Sequence, residues 1–98
     1  MDMTRDQTLQ ALTRAKPELA RRFGVVRLAL FGSVVRNQAR ADSDVDILVR
    51  FDGPATASRY FGVQFFIEDL LRRPVDLVSE KALRAELKPH IERELVDV

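Results

Sequence analysis

The sequence contains no cysteine and one histidine, His90, in 98 residues. Disulfides, thiolate metal sites and multi-histidine zinc centres are thereby excluded. Any metal must be held by oxygen ligands, which points to Mg²⁺ or Mn²⁺. Long apolar runs are missing too, and none approaches the roughly 20 residues of a membrane span. The opening Met-Asp-Met-Thr-Arg-Asp lacks the apolar stretch of a secretory signal. The expectation is a cytoplasmic protein with no membrane partner. No repeat, low-complexity segment or linker is visible, so residues 1–98 are expected to form a single domain with one core.

The net charge of +1 conceals an asymmetry. Residues 1–40 carry eight Lys/Arg against three Asp/Glu, and residues 41–98 carry eight against twelve. The basic part runs up to Arg36 and Arg40, beside an acidic cluster. A basic rim next to an acidic, metal-loaded site suits a polyanion such as a nucleoside triphosphate. Two solvated faces of opposite sign would give the same count.

Apolar spacing outlines the elements. Thr4 is a plausible N-cap for a helix carrying Leu9 and Leu12, which Pro17 is expected to interrupt. A second short helix over residues 17–23 then closes at Gly24. The β-branched run over residues 25–31 predicts a buried strand, and residues 33–38 a short helix. Residues 45–51 predict a second strand, followed by the turn signal Asp52-Gly53-Pro54. Residues 58–73 predict the longest helix, residues 75–78 a third strand, residues 80–83 a helical turn, and Pro89 opens a last helix to about residue 95. The order α-α-β-α-β-α-β-α argues for a small α/β (α+β) fold, a mixed β-sheet packed by helices. The unit over residues 45–78 implies that its two strands are parallel.

Chemistry concentrates in two places. Gly32-Ser33 ends the first strand, and after ten intervening residues Asp44-Val45-Asp46 opens the second. Glycine lets backbone approach a phosphate, and the serine hydroxyl can hydrogen-bond its oxygens. Arg36, one turn on, and Arg40 can reach the same anion. Asp44 and Asp46, at i and i+2, face one side of a strand. Two carboxylates so close repel when ionised, and a shared divalent cation relieves the repulsion. Asp is also depleted in strands. Asp76, one residue into the third strand, falls at the same sheet end if the strands are parallel neighbours. Three converging carboxylates suffice for two metal ions and in-line phosphoryl displacement, and one of them can orient or deprotonate an attacking hydroxyl.

Gly32-Ser33, the ten-residue spacer, Asp44-Val45-Asp46 and the later Asp76 resemble the nucleotidyltransferase superfamily typified by DNA polymerase beta. Nearly the whole chain resembles its minimal nucleotidyltransferase (MNT) group. The resemblance implies Asp44, Asp46 and Asp76 as catalytic metal ligands, with two Mg²⁺ ions. It implies nucleotide binding by Gly32 and Ser33, with Arg36 and Arg40 beside them. It also implies transfer of AMP from ATP to a hydroxyl, with release of pyrophosphate. Many such proteins pair with a HEPN-domain toxin and act as its antitoxin by adding AMP to a tyrosine. One departure is Asn37, where many relatives carry Gly; Asn also tolerates the left-handed conformation.

Two further functions compete with this enzyme. One is a binding module that neutralises its partner stoichiometrically. The other is a nucleic-acid enzyme like the larger polymerases, disfavoured by the absence of a basic aromatic strand face. On the long helix, Tyr60, Val63, Phe66, Ile67, Leu70 and Leu71 form one apolar face. Phe61 and Phe65 fall on a separate stripe. Packing against a neighbouring helix is the simpler expectation for that stripe, and a partner or dimer surface is the alternative. His90 and Tyr60 read as structural residues.

Overall fold

The computed structural model describes residues 4–40 and 43–98. Residues 1–3, at the head of the polar opening segment, and residues 41 and 42 of the ten-residue spacer lie outside that description. Helix α1 spans Arg5–Phe23 and strand β1 Val25–Phe31, followed by a 3₁₀ turn at Gly32–Val34. Strand β2 is Val45–Phe51, α2 Ala57–Leu71 and β3 Val75–Ser79. A second 3₁₀ turn, Glu80–Ala82, leads to α3 (Lys88–Glu94) and the short strand β4 (Val96–Asp97).

The strands form one mixed sheet in the order β3-β2-β1-β4. β1 pairs antiparallel with both β2 and β4, and β2 pairs parallel with β3. The larger core lies between the sheet and the helices α1 and α2. It joins Leu12 and Leu19 of α1 and Val63, Ile67 and Leu71 of α2 to Leu28, Leu30, Ile47, Val49 and Leu77 of the sheet. The opposite face is thinly covered: among the described residues its buried cluster is Ala29, Phe31 and Leu48, under Leu83, Ile91 and Leu95 from the α3 side.

The two helices expected on either side of Pro17 are one helix of 19 residues. Thr4 caps it as expected, in a reciprocal capping box with Gln7. Pro17 is exposed, so the Thr13 carbonyl that loses its amide partner is on the side open to water. The buried stripe Leu12, Ala15 and Leu19 passes through without interruption. Each fully buried leucine contributes roughly 1.5–3 kcal/mol, enough in combination to offset the ~3 kcal/mol cost of an interior proline. The segment expected as a helix over residues 33–38 is only the 3₁₀ turn and a following turn. β4 was not expected: a two-residue strand carries no detectable alternation. On α2, Leu70 is 39% exposed and Phe61 and Phe65 are 49% and 60% exposed. Phe61 and Phe65 stack on each other, ring centroids 6.2 Å apart, instead of packing under a neighbouring helix. No described helix is long and apolar enough to cross a membrane.

Because Pro17 costs the helix a hydrogen bond without contributing to the core, Pro17→Ala is expected to raise stability by about 1–3 kcal/mol. A thermal melt should show a midpoint higher by several degrees; an unchanged or lower midpoint would show that the proline is accommodated without penalty.

Candidate active site

The parallel pairing of β2 with β3 sets the site. In that register Val45 faces Val75 and Asp46 faces Asp76. Strand alternation sends Val45, Ile47 and Leu77 into the larger core and turns Asp46 and Asp76 to the thinly covered face. Neighbouring strands run about 4.8 Å apart, so two carboxylates stand side by side. Asp44 precedes β2 by one residue and is exposed, as is Asp76, whereas Asp46 is half-buried.

Burial pushes the Asp46 carboxyl up to about 6. The charge of Asp76, a hydrogen bond with Asp76 and the charge of Asp44 push in the same direction, and Arg36 opposes them. Two of the acids expected from the sequence, Asp44 and Asp76, therefore act on the third, Asp46. Among the described residues they do not close into a preformed chelate. The donor set nevertheless suits a hard divalent cation: it offers carboxylate oxygens only, and a cation would offset the repulsion among them.

Gly32 is locked to this cluster. Its φ of +79° lies in the left-handed region, and a Cβ there would meet Asp46 Oδ2 at 2.0 Å. Any side chain at this position would displace the central carboxylate. Ser33 follows on the same turn, and its hydroxyl has no hydrogen-bond partner among the described residues. Asn37 adopts φ 57°, so it does take up the left-handed geometry that glycine would supply.

Arg36 lies close enough to act on Asp46. Its Nη1 donates to Glu94 Oε2 at 2.7 Å and its Nε to Gln38 Oε1 at 3.1 Å. Arg40 is not drawn in the same way. Its side chain is exposed, and the hydrogen bonds Arg40 makes here are from its backbone. The Arg40 N–H donates to Ser43 Oγ at 2.9 Å, and its carbonyl accepts from Arg73 Nη2 at 2.7 Å.

Two residues not singled out in the sequence support the loop. Arg73 Nη2 also donates to the Ser43 carbonyl at 2.7 Å, fixing the backbone immediately before Asp44. Glu94 accepts the Gly32 N–H at 3.0 Å in addition to Arg36. Neither lies in a motif, and each acts across a long stretch of chain, so no local pattern could have marked them. Tyr60 donates its hydroxyl to the Leu77 carbonyl, a packing role, and His90 is exposed on α3.

The electrostatics predict the pH response of the metal-free protein. Asp46 titrates near 6 when folded, above its ordinary 3.8. At Asp46 the folded state therefore keeps a proton that the unfolded chain loses between about pH 4 and 6, so the Asp46 contribution to stability falls as pH rises through that window, while Glu18 and Asp97, held below the ordinary carboxylate range by their arginine partners, contribute in the opposite sense. Asp46→Asn is expected to flatten that fall and to raise the melting midpoint at pH 7 in EDTA. A pH profile identical to wild type would refute the crowded-carboxylate reading. Gly32→Ala is expected to lower the midpoint by several degrees, because it combines left-handed strain of about 1–2 kcal/mol with the Asp46 clash.

Comparison with known proteins identifies the family. The nucleotidyltransferase domain family matches residues 12–98. The protein adenylyltransferase MntA of Thermococcus cleftensis is 38% identical over 96 residues, covering 98% of this chain and 97% of its own. A solved structure described as a candidate minimal nucleotidyltransferase superposes with a TM-score of 0.82 at 38% identity, over 98% of this chain and 97% of that one. A more distant likeness, of the fold alone, is to a complex of the tri-AMPylated Shewanella oneidensis HEPN toxin with its MNT antitoxin. Its TM-score is 0.66 at 17% identity, over 92% of this chain and 70% of that one. With the family matched over most of its length and the acids and the glycine loop of one sheet end in contact, this chain belongs to the nucleotidyltransferase family and is an enzyme of that class.

Proposed function

We propose that this protein transfers AMP from ATP to a hydroxyl, a tyrosine in the first instance, of a HEPN-type partner and thereby acts as its antitoxin. The observation that carries the reading is the packing of Asp46 against both Asp76 and Gly32, which puts acid and phosphate loop in one place. The 38% identity to a protein adenylyltransferase over nearly the whole chain supports the AMP donor and protein acceptor. The toxin–antitoxin complexes of similar fold, one of them with AMP-PNP, support the partner class and the nucleotide.

In this reading Ser33 and Arg36 bind phosphate oxygens, and the exposed Arg40 adds positive charge at the rim. Asp44, Asp46 and Asp76 are the ligands for two Mg²⁺ ions, which when bound neutralise the phosphates and the charge that develops during transfer. The acceptor oxygen forms its bond to the α-phosphorus as the bond to the β-phosphate bridging oxygen breaks, and pyrophosphate leaves. Asp76, exposed at the edge of the cluster, takes the hydroxyl proton.

The test is intact-mass measurement of a HEPN-type partner after incubation with ATP and Mg²⁺. A gain of one or more AMP units is expected, falling at least about a hundredfold in rate with Asp46→Asn. No gain with the wild-type protein would sink the reading. EDTA is expected to abolish transfer, and transfer that survives it would remove the metal from the reaction. One observation favours a stoichiometric antitoxin as the second reading: the exposed, stacked Phe61 and Phe65 on α2. Neutralisation that survives loss of all three aspartates but not Phe61→Ala with Phe65→Ala would establish that alternative.

A further inference from the structure

Glu94 is the last residue of α3, more than fifty residues beyond the phosphate loop. Its two carboxylate oxygens are divided between two groups of that loop: the Gly32 N–H at 3.0 Å and Arg36 Nη1 at 2.7 Å. The direction of approach matters. β4, separated from Glu94 by one residue, flanks β1 on the edge opposite β2, whereas Asp46 belongs to β2. Glu94 therefore reaches the loop from the β1 side of the sheet, whereas the aspartates lie on β2 and β3.

The consequences for Arg36 follow from donor geometry. A guanidinium has five N–H donors in a rigid fork. Glu94 takes one through Nη1 and Gln38 takes another through Nε. Three remain for a ligand, on a side chain already held by two hydrogen bonds. A free arginine would lose rotamer entropy when it bound a phosphate. Here much of that ordering precedes binding, which strengthens the interaction without a new contact. The same carboxylate holds the Gly32 N–H, so the left-handed turn that presents Ser33 cannot swing away from Asp46.

We infer that Glu94 is a positioning residue for nucleotide binding: it aims Arg36 and fixes the Gly32 turn so that both meet the triphosphate. This rests on the nucleotide-binding part of the function proposed above. It makes Glu94 a determinant of nucleotide affinity that does not itself touch the nucleotide.

The experiment is calorimetric titration of Mg-ATP into the wild-type protein, Glu94→Gln, Arg36→Ala and the double variant. Glu94→Gln keeps an acceptor for Gly32 and loses the charge that orients Arg36. It is expected to raise Kd about tenfold, the scale of one lost charge-assisted contact. In the Arg36→Ala background the same change should add no more than about twofold, because the two residues act as a unit. AMP transfer at saturating ATP should keep its kcat within about threefold. Arg36→Lys, which leaves Glu94 and Gly32 paired but removes the fork, should weaken binding to a similar degree and serves if Glu94→Gln does not fold.

An unchanged Kd overturns the inference, and so do fully additive effects. Tighter binding overturns it as well, since it would mean that the carboxylate stands where a phosphate must go. If the wild-type protein binds ATP but transfers no AMP, the proposed function fails while the binding series still decides the role of Glu94. If the wild-type protein binds no nucleotide, both fall.

Discussion

Everything at the site depends on one strand pairing. β2 and β3 run parallel with Asp46 opposite Asp76, an arrangement that a sheet selected for stability alone would avoid. Like charges directly opposed on neighbouring strands are destabilising, and a half-buried carboxylate between two others resists ionisation. The rest of the fold holds the pairing in place. The apolar residues on either side of Asp46, Val45 and Ile47, are anchored in the core with Val75 and Leu77. A slip of β2 by one residue would turn Asp46 into the core and its apolar set to the other face. Burial of the apolar set therefore fixes the placement of the acidic set.

Much of this was readable from the chain because it is local or periodic. β1, β2 and β3 follow from β-branched runs, and the parallel pairing follows from the strand–helix–strand order. Gly32-Ser33 and Asp44-Val45-Asp46 sit at strand boundaries, where alternation fixes which face a side chain takes. Pro17 was misleading because a proline's effect depends on which helix face it occupies, which only the packed structure shows. Phe61 and Phe65 were harder still. Helical spacing separates them from the core stripe but does not say whether another element covers them. β4 depends on pairing with β1, and two residues carry no pattern of their own.

The loop between β1 and β2 illustrates the same limit in the site. Its conformation is held by Glu94 and Arg73, which are remote in sequence and reach it through single side chains. Arg73 braces the backbone entering Asp44, and Glu94 braces the turn leaving β1. The pattern Gly32-Ser33 with Asp44-Val45-Asp46 contains neither. A motif identifies the groups that meet substrate; the groups that hold the motif come from wherever the fold happens to bring chain within reach.

The unequal covering of the sheet has a consequence for water. The face bearing Asp46 and Asp76 has the seven-residue α3 beside it and little else among the described residues. A face so thinly covered is open to solvent. Exclusion of water, which strengthens the electrostatics of a phosphoryl-transfer site, then becomes a property of the assembled pair: in the proposed reaction the macromolecule that brings the hydroxyl also brings the second wall.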